Sequence, residues 1–197
     1  MMRDTTRPVL AALAALALSS CSTSTPKDTF EISSPPVQAA VPGRSHKQVL
    51  IPEPTAIKTI DSDNIVVKPT PYSVEYLANS QWGDRLPRMV QLRMLQAFEN
   101  TGRIGAVGVP GQGLAIDYQL VMEIRKFEID AVGGASQAQV EISVKALNDR
   151  NGTVRATRVF DASAPVSGTA NGDYVAALNS AFDQTSKQIV AWTLQLI

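Results

Sequence analysis

The sequence predicts an α+β fold: a two-layer α/β sandwich whose mostly antiparallel sheet carries two main helices on one face. Three observations predict it. Residues 116–160 alternate apolar and polar between glycine-marked turns, the period of half-buried strands. Two other segments, 84–101 and the stretch from about Asn171 onward, repeat apolar residues at spacings of three and four, the period of a helix. The order along the chain is strands, helix, strand meander, helix, which places two helices against one sheet.

Composition agrees with a single folded domain. The chain has 197 residues, 44% of them hydrophobic, and 18 Lys+Arg balance 18 Asp+Glu. Ordinary hydrophobicity excludes a wholly disordered chain. The absence of basic excess excludes a nucleic-acid footprint. One Cys excludes an internal disulfide framework, and one His, His46, excludes a multi-histidine metal centre.

The first twenty residues read as an export signal. Arg3 and Arg7 form a positive start diluted by Asp4, and residues 9–18 are unbroken Ala, Leu and Val. A bilayer core of about 30 Å needs about 20 apolar residues, so this run is too short to span it. It ends in Leu18-Ser19-Ser20-Cys21, the pattern of a bacterial lipobox. Small residues let a peptidase fit the backbone before the cut, and the Cys thiolate takes a diacylglycerol thioether. The chain's only Cys therefore becomes an expected lipid-attachment site, Cys21, with residues 1–20 as signal peptide. Residues 21–28 form a polar lipidated tether and residues 29–197 the domain. Two or more acyl chains anchor firmly, at about 0.8 kcal/mol per buried CH₂.

Within the domain, residues 29–33 predict a first strand, stopped by Pro35-Pro36, and a Pro/Gly-marked loop runs to Gly43. Residues 48–51 are apolar on both faces, as a central strand is, and Pro52 and Pro54 end them. A turn at Asp61-Ser62-Asp63-Asn64 leads to strand 65–68, paired as a hairpin with 73–77. Asp84 is the expected N-cap of the first helix, with Pro87 in its first turn and Gly102 as its stop. Leu86, Val90, Met94, Ala97 and Phe98 make its stripe, and Met89, Leu92 and Leu95 widen it beyond one sheet contact.

A short strand at 104–109 and a turn at Pro110-Gly111-Gln112-Gly113 precede the meander. In strand 116–129, Ile116, Tyr118, Leu120, Met122 and Ile124 share a face, and then Phe127 and Ile129 fall out of phase. A slip of one residue sends side chains to the wrong face, so a β-bulge belongs near Arg125-Lys126. Gly133-Gly134 and Asn151-Gly152 turn the chain twice. In the last helix Val175, Leu178, Phe182, Thr185, Ile189, Trp192 and Leu196 draw one stripe, which makes Phe182 and Trp192 core residues.

Chemical motifs are missing where catalysis or metal binding needs them. The glycine turn at 110–113 lacks the Lys-Ser/Thr of a phosphate loop. Asp61 and Asp63 lack the further ligands of a calcium loop. His46 sits between Ser45 and Lys47 in a loop with no nearby carboxylate signature. The expectation is a protein that is not an enzyme and takes no cofactor and no metal.

The lipobox together with the ordered set Thr29-Phe30-Glu31-Ile32, Val49-Leu50-Ile51-Pro52, Tyr76-Leu77, Trp82 and Leu86-Pro87-Arg88-Met89-Val90-Gln91 resembles the ABC-type transport auxiliary lipoproteins. That family includes the paraquat-inducible protein C-like lipoproteins. The resemblance extends over the long strand with Phe127, the meander and the last helix. It implies an accessory role beside an MCE-domain periplasmic protein and an ABC permease in lipid transport between membranes. It also implies support of outer-membrane integrity. By resemblance to Gram-negative lipoproteins, Ser22 after the Cys is permissive for outer-membrane anchoring, with inner-membrane anchoring as the alternative. The alternative from another class is a periplasmic carrier holding a lipid in its own pocket, which needs a cavity of several hundred Å³ between helix and sheet. The surplus apolar width makes Trp82, Met89 and Leu92 the expected contact with a partner, either the MCE-type protein or a second copy of this chain.

Overall fold

The computed structural model describes residues 26–33 and 44–197. The lipobox with Cys21, most of the tether and the loop at 34–43 lie outside the described residues. In chain order the strands are β1 (Asp28–Phe30), β2 (Gln48–Leu50), β3 (Thr55–Ala56), β4 (Val66–Thr70), β5 (Ser73–Tyr76) and β6 (Ser80–Trp82). Helix α1 (Leu86–Glu99) follows, then β7 (Ala106–Gly108), β8 (Tyr118–Asp130), β9 (Gln137–Asn148), β10 (Thr153–Pro165) and helix α2 (Asn171–Leu196).

The antiparallel meander β8-β9-β10 is the backbone of the sheet. The free edge of β8 is divided among three short strands. β2 pairs with its start, β3 with its middle and β4 with its end, all parallel to it. β7 lies outside β2, and β5 folds back on β4 as the expected hairpin. The sheet is therefore mixed, with its antiparallel part predominant. The first strand is not part of it: β1 pairs with β6 in a separate two-stranded parallel ribbon.

The bulge falls where the phase slip places it. Ile124 faces Ile142 and Lys126 faces Glu141, so Arg125 is left over and Phe127 and Ile129 return to the buried face. α2 lies across that face, and α1 packs on α2 and β7, so both helices share a single core. Phe182 is fully buried. Trp192 is half-buried at the margin, its ring 5.5 Å from that of Phe160.

The helix ends show how sequence signals were used. α1 starts one residue later than a cap at Asp84 predicts. Arg85 stands at the N-cap, and the Leu86 amide donates to the Ser62 carbonyl at 3.0 Å. A loop from elsewhere in the chain supplies the acceptor, and the Asp84 carboxylate turns to the Arg85 amide instead. At α2 the Asp173 carboxylate accepts the Ala170 amide at 2.9 Å. Gly168 has φ of +136°, and a Cβ there would collide with that carboxylate, so this entry to α2 requires glycine. β9 and β10 join through four residues rather than two, with Gly152 alone among them at positive φ.

Candidate functional site

The α1 surface is where the sequence places the partner contact. Its core stripe is buried as expected, Leu86, Val90, Met94, Ala97 and Phe98 all facing inward. Gln91 is buried as well, and its amide donates to the Ile51 carbonyl at 2.8 Å, tying the helix to the end of β2. Next to it Trp82, Phe127 and Phe182 form an aromatic ladder with ring centroids 5.9 Å apart at each step. These rings fill space between α1, α2 and the sheet.

Two of the three expected contact residues are corrected by this packing. Trp82 is 2% exposed and Met89 is 6% exposed, so both are core. The apolar width of α1 is taken up by Trp82 from β6 and by the residues after β1, where Ile32 is fully buried. Leu92 alone keeps part of its surface. It lines a groove of about 250 Å³ with Glu31, Gly83, Asp84, Met89, Arg93 and Gln96.

Arg93 organises that groove. It donates to the Ile32 carbonyl at 2.6 Å, to the Gln96 side chain at 3.0 Å and to Glu31 at 2.9 Å. One guanidinium thus locks the N-terminal strand onto the helix. The groove wall joins the apolar Met89 and Leu92 to the charged Glu31, Asp84 and Arg93. Sequence reasoning missed Arg93 and Glu31. The available signal was an Arg inside an otherwise apolar helix surface.

The other singled-out residues have structural partners or open surroundings. Asp61 accepts from Arg85, which also reaches Glu53 at 3.0 Å. His46 is exposed in a loop. No group of three His, Cys, Asp or Glu among the described residues is placed to hold a metal ion. No described helix is long and apolar enough to cross a membrane.

Among the described residues three carboxyls are displaced from ordinary values. The Gln48 amide at 3.0 Å holds Asp117 below the usual aspartate range, with Lys47 and Arg150 helping and burial opposing. Burial pushes Glu128 up, against Lys68 and Lys126, and Asp130 adds to the rise. Burial also raises Asp183, against Lys187. Asp117 and Glu128 lie at opposite ends of β8 and brace strands. Their places identify supports of the sheet, not an acid–base pair.

The family model for the ABC-type transport auxiliary lipoprotein component matches residues 30–190. The chain belongs to this family. Its lipoproteins are components of the cell envelope. The chain is similar to a crystal structure of a Xanthomonas campestris protein, 30% identical, covering 85% of this chain and 95% of that one with a TM-score of 0.78. A Chlamydia trachomatis protein at 10% identity shares the fold, with a TM-score of 0.52 over 76% of this chain and 97% of that one. An uncharacterized protein of Bradyrhizobium diazoefficiens is 28% identical over 168 residues. That match takes in 85% of this chain and 45% of the relative, so the chain spans under half the length of this curated relative.

Proposed function

We propose that this chain is a lipid-anchored accessory of an MCE/ABC-type lipid transport system. It is attached through Cys21 to the outer membrane and faces the periplasm, where it docks the conduit protein and supports outer-membrane integrity. The family match supports the reading, because it covers residues 30–190, nearly all of the folded domain. The lipobox supports the anchor. On this account residues 1–20 are removed as signal peptide, 21–28 tether the domain and 29–197 form it.

The role is binding and positioning, not catalysis. The groove at Leu92 is the proposed contact, because it joins a partly exposed apolar side chain to the Arg93–Glu31 ion pair. The aromatic ladder between the helices and the sheet favours a docking domain over a carrier with its own lipid pocket. The MCE-domain protein and its ABC permease are the proposed partners, and a second copy of this chain is the competitor for the same groove.

Affinity capture of the full chain from solubilised membranes tests this. The expected result is co-purification of an MCE-domain protein with the parent chain and a loss of roughly tenfold with Leu92→Asp, about 1.4 kcal/mol of binding. A parent chain that captures no MCE-domain protein overturns the partner. Undiminished capture by a folded Leu92→Asp variant moves the contact elsewhere.

A further inference from the structure

The chain enters the domain at one end of the sheet. The Asp28 amide donates to the Asn79 carbonyl at 2.8 Å, and the Asn171 side chain donates to the Ala78 carbonyl at 3.0 Å, at the first residue of α2. From there the N-terminal segment runs down α2 to Ser33, whose amide meets the Asn179 side chain. The hairpin of β4 and β5 turns back at this same end, since β4 pairs with the last residues of β8 and the Ala131 amide donates to the Lys68 carbonyl.

This end carries apolar side chains with no cover among the described residues. Tyr72, in the hairpin turn, is 98% exposed. Val74 and Tyr76 share one face of β5 and are exposed, and Val132 is exposed just past β8. Among the described residues β5 pairs with β4 alone. A tyrosine with an apolar ring and a polar tip suits the headgroup boundary of a bilayer.

Tether length decides what lies opposite. The span from Cys21 to Pro26 covers at most about 18 Å at full extension. α2, with 26 residues, is about 39 Å long and runs away from this end. A tether much shorter than the domain keeps its own end of the domain beside the anchor. The charges here are mixed, Lys27 and Lys68 with Glu75 and Asp130, so apolar insertion and not charge is the attraction.

We infer that the hairpin end, led by Tyr72 with Val74, Tyr76 and Val132, rests in the headgroup region of the bilayer that holds the acylated Cys21. The domain then stands on the membrane by its hairpin and directs its opposite end into the periplasm. This rests on the proposed acylation of Cys21.

The test uses full-length, membrane-extracted chain in vesicles of phosphatidylethanolamine and phosphatidylglycerol, with no other protein present. Acylation occupies the native thiol, so Tyr72→Cys takes a single environment-sensitive fluorophore. Val154→Cys, 54% exposed at the far end of the sheet, is the reference. On vesicles the label at 72 is expected to shift to the blue and lose roughly threefold of its quenching by aqueous iodide, as a group at the acyl boundary does, while the label at 154 stays aqueous. Flotation of the chain with equally aqueous labels overturns the inference and leaves the anchor standing; the hairpin is then a protein-docking edge. Protection at 154 instead reverses the orientation and overturns it too. A chain that does not float with vesicles refutes the anchor itself, and the inference falls with it.

Discussion

The two edges of β8 are built differently. One edge runs beside β9 along almost its whole length, interrupted by a single bulge. The other is tiled by β2, β3 and β4, strands of two to five residues contributed from well upstream. The continuous edge is a local hairpin whose ladder needs little chain to close. The tiled edge closes long loops: the chain makes the Asp61 turn between β3 and β4, and after β4 it forms β5, β6 and α1 before returning to the sheet as β7 beside β2. The first edge has the longer ladder, and the proposed contact surfaces, on β5 and α1, belong to the chain that follows the tiles of the second.

The largest effect is expected from the aromatic ladder that supports the tiled edge. Trp82→Ala should cost about 3–5 kcal/mol, as truncation of a buried aromatic does. A urea midpoint equal to that of the parent chain removes Trp82 from the core. Asp117→Ala comes next. It leaves the Gln48 amide at the start of β2 without its carboxylate and strips Lys47 and Arg150 of a partner, for a cost of about 1–3 kcal/mol.

Asp117 also gives that edge an acid dependence. Its folded pKa is depressed, so its contribution is present above the ordinary aspartate value and is lost as pH falls through the lowered one. The gap between parent and Asp117→Ala should therefore close in acid, and a gap constant with pH contradicts the assignment. Glu128 has the opposite sign. Its folded pKa is raised by burial, so the folded state is favoured while the group holds its proton and loses that advantage as pH rises through the raised value. Glu128→Gln should stabilise the protein near neutrality, by no more than about 1 kcal/mol, with no gain in acid. Destabilisation at neutral pH instead makes the ion pair with Lys68 the dominant interaction.

The smallest perturbation sharpens the same contrast without a mutation. Amide hydrogen exchange should be slowest in β9 and in the β8 amides that pair with it, and faster in β3 and β5. Equal protection on both edges means that the tiles open only with the whole domain.

The same contrast governs what the sequence reveals. Strands β8 to β10 are legible because alternation over a dozen residues and glycine turns are local signals, and the slip at Phe127 locates the bulge. β3 and β6, two and three residues long, are too short for any period to register. β1 is visible as a strand, but its partner in β6 is not, because parallel pairing leaves no mark near either segment. The α1 surface fails for that reason. Its apolar width is plain in Met89, Leu92 and Leu95, yet what covers it comes from Trp82 and Ile32, brought in from other parts of the chain. Width is a local property and cover is not, so Trp82 and Met89 became core while Leu92 kept its surface.

Anchoring at Cys21 is the proposal on which the envelope placement and the orientation of the hairpin rest. Intact-mass spectrometry of the chain extracted from membranes tests it most directly. The account predicts a polypeptide that begins at Cys21 and carries a diacylglycerol thioether. A chain cleaved elsewhere, or one with a free Cys21 thiol, contradicts it.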